Sequence, residues 1–200
     1  VDWHNISQIS IISVMTIVYF GDFNPDYPRQ RILMRGLKLN GAEILICNSQ
    51  LKGWAKYKEL KKIHDRLPTY DILLVGHSDN HLMAPFAWLI TRRLFSKRAR
   101  KPVVWDAFYS LYDNWVHDRK LTGPNSFKAY YYWLTDWLSF VLADLVLSDT
   151  QSNINYFIKT FRISAKKFFR VLIGADDSVM YPREKTIRDK FIVEFHGSYG

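Results

Sequence analysis

Short apolar runs alternate with longer amphipathic segments along most of this chain, and that alternation restricts the fold more than any other feature. Each run is too short for a typical helix and is rich in Val, Ile, Leu or aromatic residues, which favours strands. Several runs are apolar on both faces, which is typical of parallel strands covered by helices on both sides. The predicted strands are 13–20, 43–48, 71–75, 102–107, 144–148 and 168–172.

Segments with helical periodicity separate these strands. The predicted helices are 29–40, 52–66, 81–97, 127–142 and 150–160. Asn40-Gly41 provides a stop for the first helix, and Thr150 or Ser152 can cap the last. The order of elements predicts an α/β fold: a doubly wound parallel sheet, Rossmann-like, with right-handed crossovers.

The composition of the chain changes near its two ends. Residues 1–12 have no usable pattern and are interpreted as an irregular extension, followed by a Rossmann-like domain at 13–175. Residues 176–190 are polar and contain a proline, so they are interpreted as a linker. The apolar run and glycines of 191–200 are expected to be the first strand and loop of a second domain that is otherwise missing.

The charge balance favours an anionic partner. Lys and Arg number 28 against 19 Asp and Glu, a net charge of +9, which suits nucleic acid, acidic lipid or a phosphorylated metabolite. The single cysteine, Cys47, lies in an apolar run and is expected to be a buried small hydrophobe in a reducing cytoplasm. The apolar stretch 11–20 has roughly half the length of a bilayer span, so no transmembrane helix or signal peptide is predicted.

Ligands of parallel sheets bind beyond the carboxyl ends of the strands, so the loops there are the candidate sites. The loop "GDFNPDYPRQR" after the first strand begins with Gly21, which allows close backbone approach, and contains Asp22 and Tyr27. Arg29 stands near the start of the following helix, where backbone N–H groups and the helix dipole favour anions. Alternatively, the loop only shapes a turn and its arginines are solvated.

The loop "GHSDNHL" after the third strand concentrates polar groups. His77, Ser78, Asp79 and His81 could line the cleft, bind a metal or form a nucleophilic group. The spacing matches no established zinc motif, so no metal site is predicted. Alternatively, Ser78, Asp79 or Asn80 caps the next helix.

The fourth strand ends on a carboxylate. Asp106 closes an otherwise apolar strand, and its side chain is expected to emerge at the mouth of the cleft, where it could orient or deprotonate a hydroxyl. Tyr109 is the other nearby ionisable group, and an irregular or helical loop follows. The alternative is that Asp106 is a capping or hydrogen-bonded structural residue.

The run "RRLFSKRARK" ends an apolar helix with more basic residues than the helix dipole explains. An acidic membrane surface is one interpretation, supported by the aromatic stretch "KAYYYWLTDWLSF". Core packing with a solvated basic tip is the other. No nucleic-acid recognition motif accompanies the charge, so nucleic acid is not expected as a partner. The candidate membrane-surface residues are Arg92, Arg93, Lys97, Arg98, Arg100 and Lys101.

Three segments of the chain resemble the amino-terminal half of family 4 glycosyltransferases of the GT-B fold. They are "DLVLSDTQSNINYF", "KKFFRVLIGADDSVMYP" and "FIVEFHGSYG", and the resemblance covers nearly all of the chain after about residue 14. The most specific part is similar to the family's apolar-Asn-Gly-Val-Asp segment. Gly174, Ala175 and Asp176 match that segment, whereas Ile173 replaces the Asn.

The resemblance implies a retaining transfer of a sugar from a nucleotide-sugar donor to an acceptor, in a cleft between two Rossmann-like domains. This chain would be the acceptor-side domain, with a sugar or lipid-linked acceptor and peripheral contact with the inner membrane face. Gly21 would approach the donor diphosphate, and the loop after Gly197 would form the second domain's share of the site. The family is usually metal-independent, and no cofactor is implied.

Two departures from the family qualify this expectation. Many members carry a histidine after the fourth strand, where this chain reads "WDAFYS". The family's donor-binding basic residues and paired glutamates lie in the second domain, so the chain alone is expected to be inactive. A non-catalytic module for an anionic ligand or membrane surface is the alternative, and a self-contained nucleotide-binding enzyme is disfavoured by the missing phosphate-loop motifs.

Overall fold

The computed structural model describes residues 14–92, 100–177 and 180–182 as an α/β fold. The strands of the described residues are β1 (Thr16–Gly21), β2 (Glu43–Asn48), β3 (Ile72–Val75), β4 (Val103–Asp106), β5 (Leu145–Ser148) and β6 (Phe168–Arg170). The α-helices are α1 (Pro28–Leu39), α2 (Trp54–Arg66), α3 (Met83–Thr91), α4 (Phe127–Leu142) and α5 (Gln151–Phe161). A π-helix covers Asp113–Asp118, and a 3-10 turn covers Ala165–Lys167.

The strands form one six-stranded parallel sheet in the order β2-β1-β3-β4-β5-β6. The chain moves to one side from β1 to β2 and then to the other side for β3 onward. A reversal of this kind places α1 and the later helices on opposite faces. The prediction of a doubly wound, Rossmann-like parallel sheet is therefore confirmed.

Local signals account for several helix ends. Gly41 has a φ of +84°, and the Asn40 amide donates to the Gly36 carbonyl over 2.8 Å, so the predicted stop of α1 is confirmed. The hydroxyl of Thr150 accepts from the backbone N–H of Asn153 over 3.1 Å. Thr150, not Ser152, is thus the cap of α5.

The helix after β3 differs from its prediction at both ends. It begins at Met83 instead of His81, and its N-cap, Leu82, offers no side-chain hydrogen bond. The predicted caps are used elsewhere, since the Ser78 hydroxyl accepts from the backbone N–H of Asn80 over 3.3 Å within the loop. The helix ends at Thr91, because the backbone of the next residue is extended.

Each face of the sheet has its own apolar core. On one face, Ile17, Tyr19, Leu74 and Val104 belong to a cluster against which α1 packs. The other face carries the larger cluster, to which α2, α3, α4 and α5 contribute. Cys47 belongs to that cluster, and burial raises the pKa of its thiol to about 12, which fits the predicted small hydrophobe.

The chain returns to α1 after β6. Asp176 pairs with Arg35 and accepts from Arg31 over 3.4 Å, so this end of the predicted linker 176–190 is bound to the sheet domain. The predicted extension 1–12 and the predicted strand and loop 191–200, with Gly197, lie outside the described residues. The division into domains stays a prediction.

The tight packing of Gly76 against the β1 face allows a test of the fold. A Cβ at Gly76 would lie 2.6 Å from the Tyr19 ring and 3.0 Å from the Phe23 ring, both fully buried. We expect Gly76→Ala to lower the free energy of unfolding by about 1–3 kcal/mol because neither ring has space to move. Urea unfolding measures this change.

Gly36→Ala is the matched control. Nothing lies within 4 Å of a Cβ at Gly36, which is inside α1, so this substitution should raise the stability by about 1 kcal/mol through helix propensity. Equal stability of the two variants would contradict the close contact at Gly76.

Candidate functional site

A cleft of about 660 Å³ lies beyond the carboxyl ends of β3 and β4, close to the point where the strand order reverses. Open parallel sheets bind their ligands at this position. The loops after β1, β3 and β4, the π-helix and α4 all contribute to its wall. The residues important for its chemistry are Tyr27, His77, Asp79, His81, Tyr109 and Arg119.

The end of β1 is held in place beside this cleft. Gly21 has a φ of +138°, a conformation that favours glycine. The Asp22 carboxylate pairs with Lys56 and accepts from the Asn80 amide over 3.0 Å. A carboxylate next to the glycine repels phosphate, so Asp22 itself is a poor candidate for the predicted anion contact.

Arg29 and Asp106 form a buried ion pair. The Nε of Arg29 donates to Oδ1 and Oδ2 of Asp106 over 3.0 and 2.8 Å, and its Nη2 donates to Oδ1 over 2.6 Å. The side chains are 6% and 0% exposed. Burial raises the pKa of Asp106, and the Arg29 guanidinium opposes that rise.

The expectation that Asp106 emerges at the mouth of the cleft was therefore wrong. Side chains alternate along a strand, and Asp106 shares the α1 face of the sheet with Val104. Arg29, in the first turn of α1, reaches the carboxylate there and binds both of its oxygens. This geometry favours the alternative, a structural role for Asp106, and it also withdraws Arg29 from anion binding.

His77 lies among aromatic rings at the cleft. Its ring centroid is 5.7 Å from that of Tyr27, 5.2 Å from Phe108 and 5.1 Å from Tyr109. Burial and, to a smaller extent, the neighbouring His81 lower the pKa of His77 from 6.5 to about 4, whereas Asp79 opposes the shift. His77 is therefore neutral at neutral pH and offers the cleft a hydrogen bond without a charge.

A buried glutamine positions the loop that carries His77. The side-chain amide of Gln30 donates to the His77 carbonyl over 2.6 Å, and its oxygen accepts from the Tyr19 hydroxyl. Both Gln30 and Tyr19 are fully buried. This chain of hydrogen bonds connects β1, α1 and the loop after β3, and nothing in the sequence pattern singled out Gln30.

The Tyr109 hydroxyl donates to the Asp79 carboxylate. Burial raises the pKa of Tyr109, and Asp79 adds to the rise. The phenol therefore stays protonated, and because its one hydrogen is donated to Asp79, the pair provides acceptor positions at the cleft. Ser78, predicted with this group, is half-buried and is not among the described residues that line the cleft.

His81 and Asp136 form a second buried pair at the floor of the cleft. The two side chains are 2% and 0% exposed, and Nδ1 of His81 binds Oδ1 of Asp136. The other oxygen of Asp136 accepts from the Ser110 hydroxyl over 2.6 Å and the Tyr112 backbone N–H over 3.0 Å. With the Asp136 carboxylate accepting from Nδ1–H, the Nε2 of His81 is left for other partners: it accepts a hydrogen bond when the ring is neutral and donates one when the ring is charged.

Sequence reasoning included His81 in the cleft but missed Asp136. A signal was available, because Asp136 is the sole carboxylate of the largely apolar α4. A lone acidic residue on such a helix requires a partner when it is buried.

The described members of the basic run lie at the opposite edge of the sheet from the cleft, where β4 begins. Arg92 lies over the Trp88 ring at 4.6 Å, Arg100 pairs with Asp144 over 2.6 Å, and Lys101 lies 5.7 Å from the centre of the Tyr70 ring. Its other members, Arg93, Lys97 and Arg98, lie outside the described residues. A membrane-binding role for this run stays a prediction.

A second concavity, of about 510 Å³, lies on the α1 face of the sheet. Its lining is apolar, and the exceptions among the described residues are Arg29, which is bound to Asp106, and Asn40. A ligand site normally combines apolar surface with convergent polar groups. The cleft beyond β3 and β4 meets that description better.

No family model matches the chain, and no match was found among curated proteins. The resemblance to family 4 glycosyltransferases therefore rests on the quoted residues. Within residues 14–92, 100–177 and 180–182, no cluster of three His, Cys, Asp or Glu side chains could hold a metal ion. No helix of the described part is long and apolar enough to cross a membrane.

The environment of His77 predicts its titration. We expect the NMR resonances of its ring to titrate near pH 4 because burial opposes the charged form. The His77→Gln variant assigns the resonances by their loss. A midpoint near pH 6.5 would contradict the buried position.

The same shift predicts a pH dependence of stability. The unfolded chain binds a proton at His77 more readily than the folded protein does. The contribution of neutral His77 to the free energy of unfolding is therefore fully present above pH 6.5 and is lost as the pH drops towards 4. Urea unfolding of the wild-type protein and His77→Gln measures this, and the variant should lose that part of the dependence.

The Arg29 and Asp106 pair predicts strong coupling between two substitutions. Asp106→Leu or Arg29→Met alone leaves a buried charge unpaired and should cost about 3–5 kcal/mol of stability. The double variant removes both charges and should be destabilised by less than the sum of the single variants. Additive changes in urea unfolding would show that the pair is not coupled.

Proposed function

We propose that this domain is the acceptor-binding half of a retaining glycosyltransferase that uses a nucleotide-sugar donor. The main observation in support is the cleft at the point where the strand order reverses. This cleft combines aromatic rings with uncharged hydrogen-bonding groups. Rings can pack against the apolar face of a sugar, while hydroxyl, amide and neutral imidazole groups bind its hydroxyls. The resemblance to family 4 glycosyltransferases supplies the reaction class.

The electrostatics of the cleft support an acceptor more than a diphosphate. His77 is neutral, Arg29 is bound by Asp106, and Asp79 adds a negative charge. A diphosphate needs cations or free backbone N–H groups, and the described cleft offers few of them. Donor binding would thus fall mainly to a second domain.

Two groups in the cleft have the geometry to orient an acceptor hydroxyl. Nε2 of His81 is held in a fixed position because Asp136 binds the opposite side of the ring, and in the neutral ring it would accept from a hydroxyl. The Tyr109 and Asp79 pair is the other, since the carboxylate keeps acceptor positions after binding the phenol. Both would position the acceptor before transfer.

A non-catalytic module for an anionic ligand is the second candidate. The observation in its favour is the net charge of +9, together with the exposed Arg119 at the wall of the cleft. Binding measurements separate the two candidates because they require ligands of different charge.

We expect NMR titration with a panel of neutral methyl glycosides to shift cleft resonances, with a smaller response to nucleoside diphosphates. Tyr109→Phe keeps the ring and removes the hydroxyl, so the affinity for the best glycoside should fall about threefold to tenfold. Tyr130→Phe is the control, because Tyr130 is exposed and does not line the cleft. A cleft that responds to diphosphates and to no glycoside would favour the anion-binding module.

A further inference from the structure

Exposed apolar side chains surround the start of α4, on the same edge of the sheet as the cleft. Phe127 is 87% exposed, Tyr130 and Leu121 are 60% exposed, and Tyr131 is 46% exposed. Basic residues lie among them, namely Arg119, Lys120 and Lys128, all exposed. We call these seven residues the cleft lip.

The apolar members from α4 lie on one side of the helix. Phe127, Tyr130 and Tyr131 are spaced i, i+3 and i+4, so their side chains are neighbours on the helix surface. The side chain of Leu121 comes from the preceding loop, whose backbone N–H at Leu121 donates to the Trp115 carbonyl over 3.0 Å. A contiguous exposed apolar patch with polar residues around it is typical of an interaction site.

The cleft lip borders the cleft directly. Tyr131 and Arg119 belong both to the lip and to the lining of the cleft. The start of α4 lies at the carboxyl edge because the helix runs from the end of β4 back to the start of β5. A surface that covers the lip would therefore lie beside the proposed acceptor site.

The charges of the lip are available to an outside partner. The Nζ of Lys128 lies 5.0 Å from the Trp115 ring and 5.8 Å from the Tyr132 ring, which holds the ammonium group near the aromatic surface. None of the three basic residues forms an ion pair with a carboxylate of the described residues. Exposed Asp118 offsets part of this charge, and the lip remains positive.

We infer that the cleft lip docks on an anionic phospholipid surface. Aromatic side chains favour the boundary between headgroups and acyl chains, and lysine and arginine bind acidic headgroups. The biological reason for such docking rests on the proposed function, since a lipid-linked acceptor would reach the cleft from the membrane plane. Arg92, Arg100 and Lys101 lie at the other edge of the sheet, so docking through these residues would turn the cleft away from the membrane.

The test is co-sedimentation of the chain with phosphatidylcholine vesicles, with and without phosphatidylglycerol, at low and high salt. Binding should require phosphatidylglycerol and weaken with salt. Phe127→Ser should reduce the partition coefficient about tenfold, and Lys120→Gln and Lys128→Gln about fivefold each. Each substituted side chain is exposed, so the fold should be unaffected.

The controls lie on the opposite edge of the sheet. Leu39→Ser removes a side chain that is 76% exposed at the end of α1. Arg100→Gln with Lys101→Gln removes two charges of the basic run. These controls should leave vesicle binding unchanged. The inference is overturned if the chain ignores phosphatidylglycerol, or if the basic-run variant loses binding while the lip variants keep it.

The glycoside titration separates this inference from the proposed function. Phe127→Ser should bind glycosides with the wild-type affinity, because Phe127 does not line the cleft. Glycoside binding without vesicle binding would reject the docking surface alone. Vesicle binding through the lip without glycoside binding would keep the docking surface and reject the acceptor site.

Discussion

The ion pair between Arg29 and Asp106 is the constraint on which the candidate site depends. α1 is the helix that covers its face of the sheet among the described elements, and the pair fixes its first turn to the end of β4. Taking two charges out of water is costly, and the paired geometry with three hydrogen bonds offsets that cost. Gln30, the next residue of α1, is thereby placed to hold the loop of His77.

The contacts that fix these loops also determine which charged groups face the cleft. Two cations near the cleft are bound by internal partners, Arg29 by Asp106 and Lys56 by Asp22, whereas Arg119 is exposed at its wall. His77 is a neutral group because burial opposes its charged form, and the hydrogen bond to Asp136 fixes the orientation of the His81 ring. The net charge of +9 is thus not concentrated in the cleft, whose described lining carries one carboxylate, Asp79, and one guanidinium, Arg119.

The sheet could be predicted from the sequence because each strand is an apolar run bounded by turn residues, and all six predicted strands overlap the observed ones. The face of the sheet on which the Asp106 side chain lies could not be predicted. Both neighbouring faces of β4 are apolar, so the pattern does not tell which face a side chain occupies. The partners of Gln30 and Asp136 also escaped prediction, because each contact joins residues that only the tertiary fold brings together.

α4 carries Phe127 at its start and Asp136 in its interior, nine positions further along. At the usual rise of about 1.5 Å per residue, the two residues are roughly 13 Å apart along the helix axis. A tilt of α4 at its exposed first turn also displaces the Asp136 carboxylate, which orients the His81 ring. A partner that binds this end of α4 and tilts the helix therefore also moves the His81 ring at the floor of the cleft.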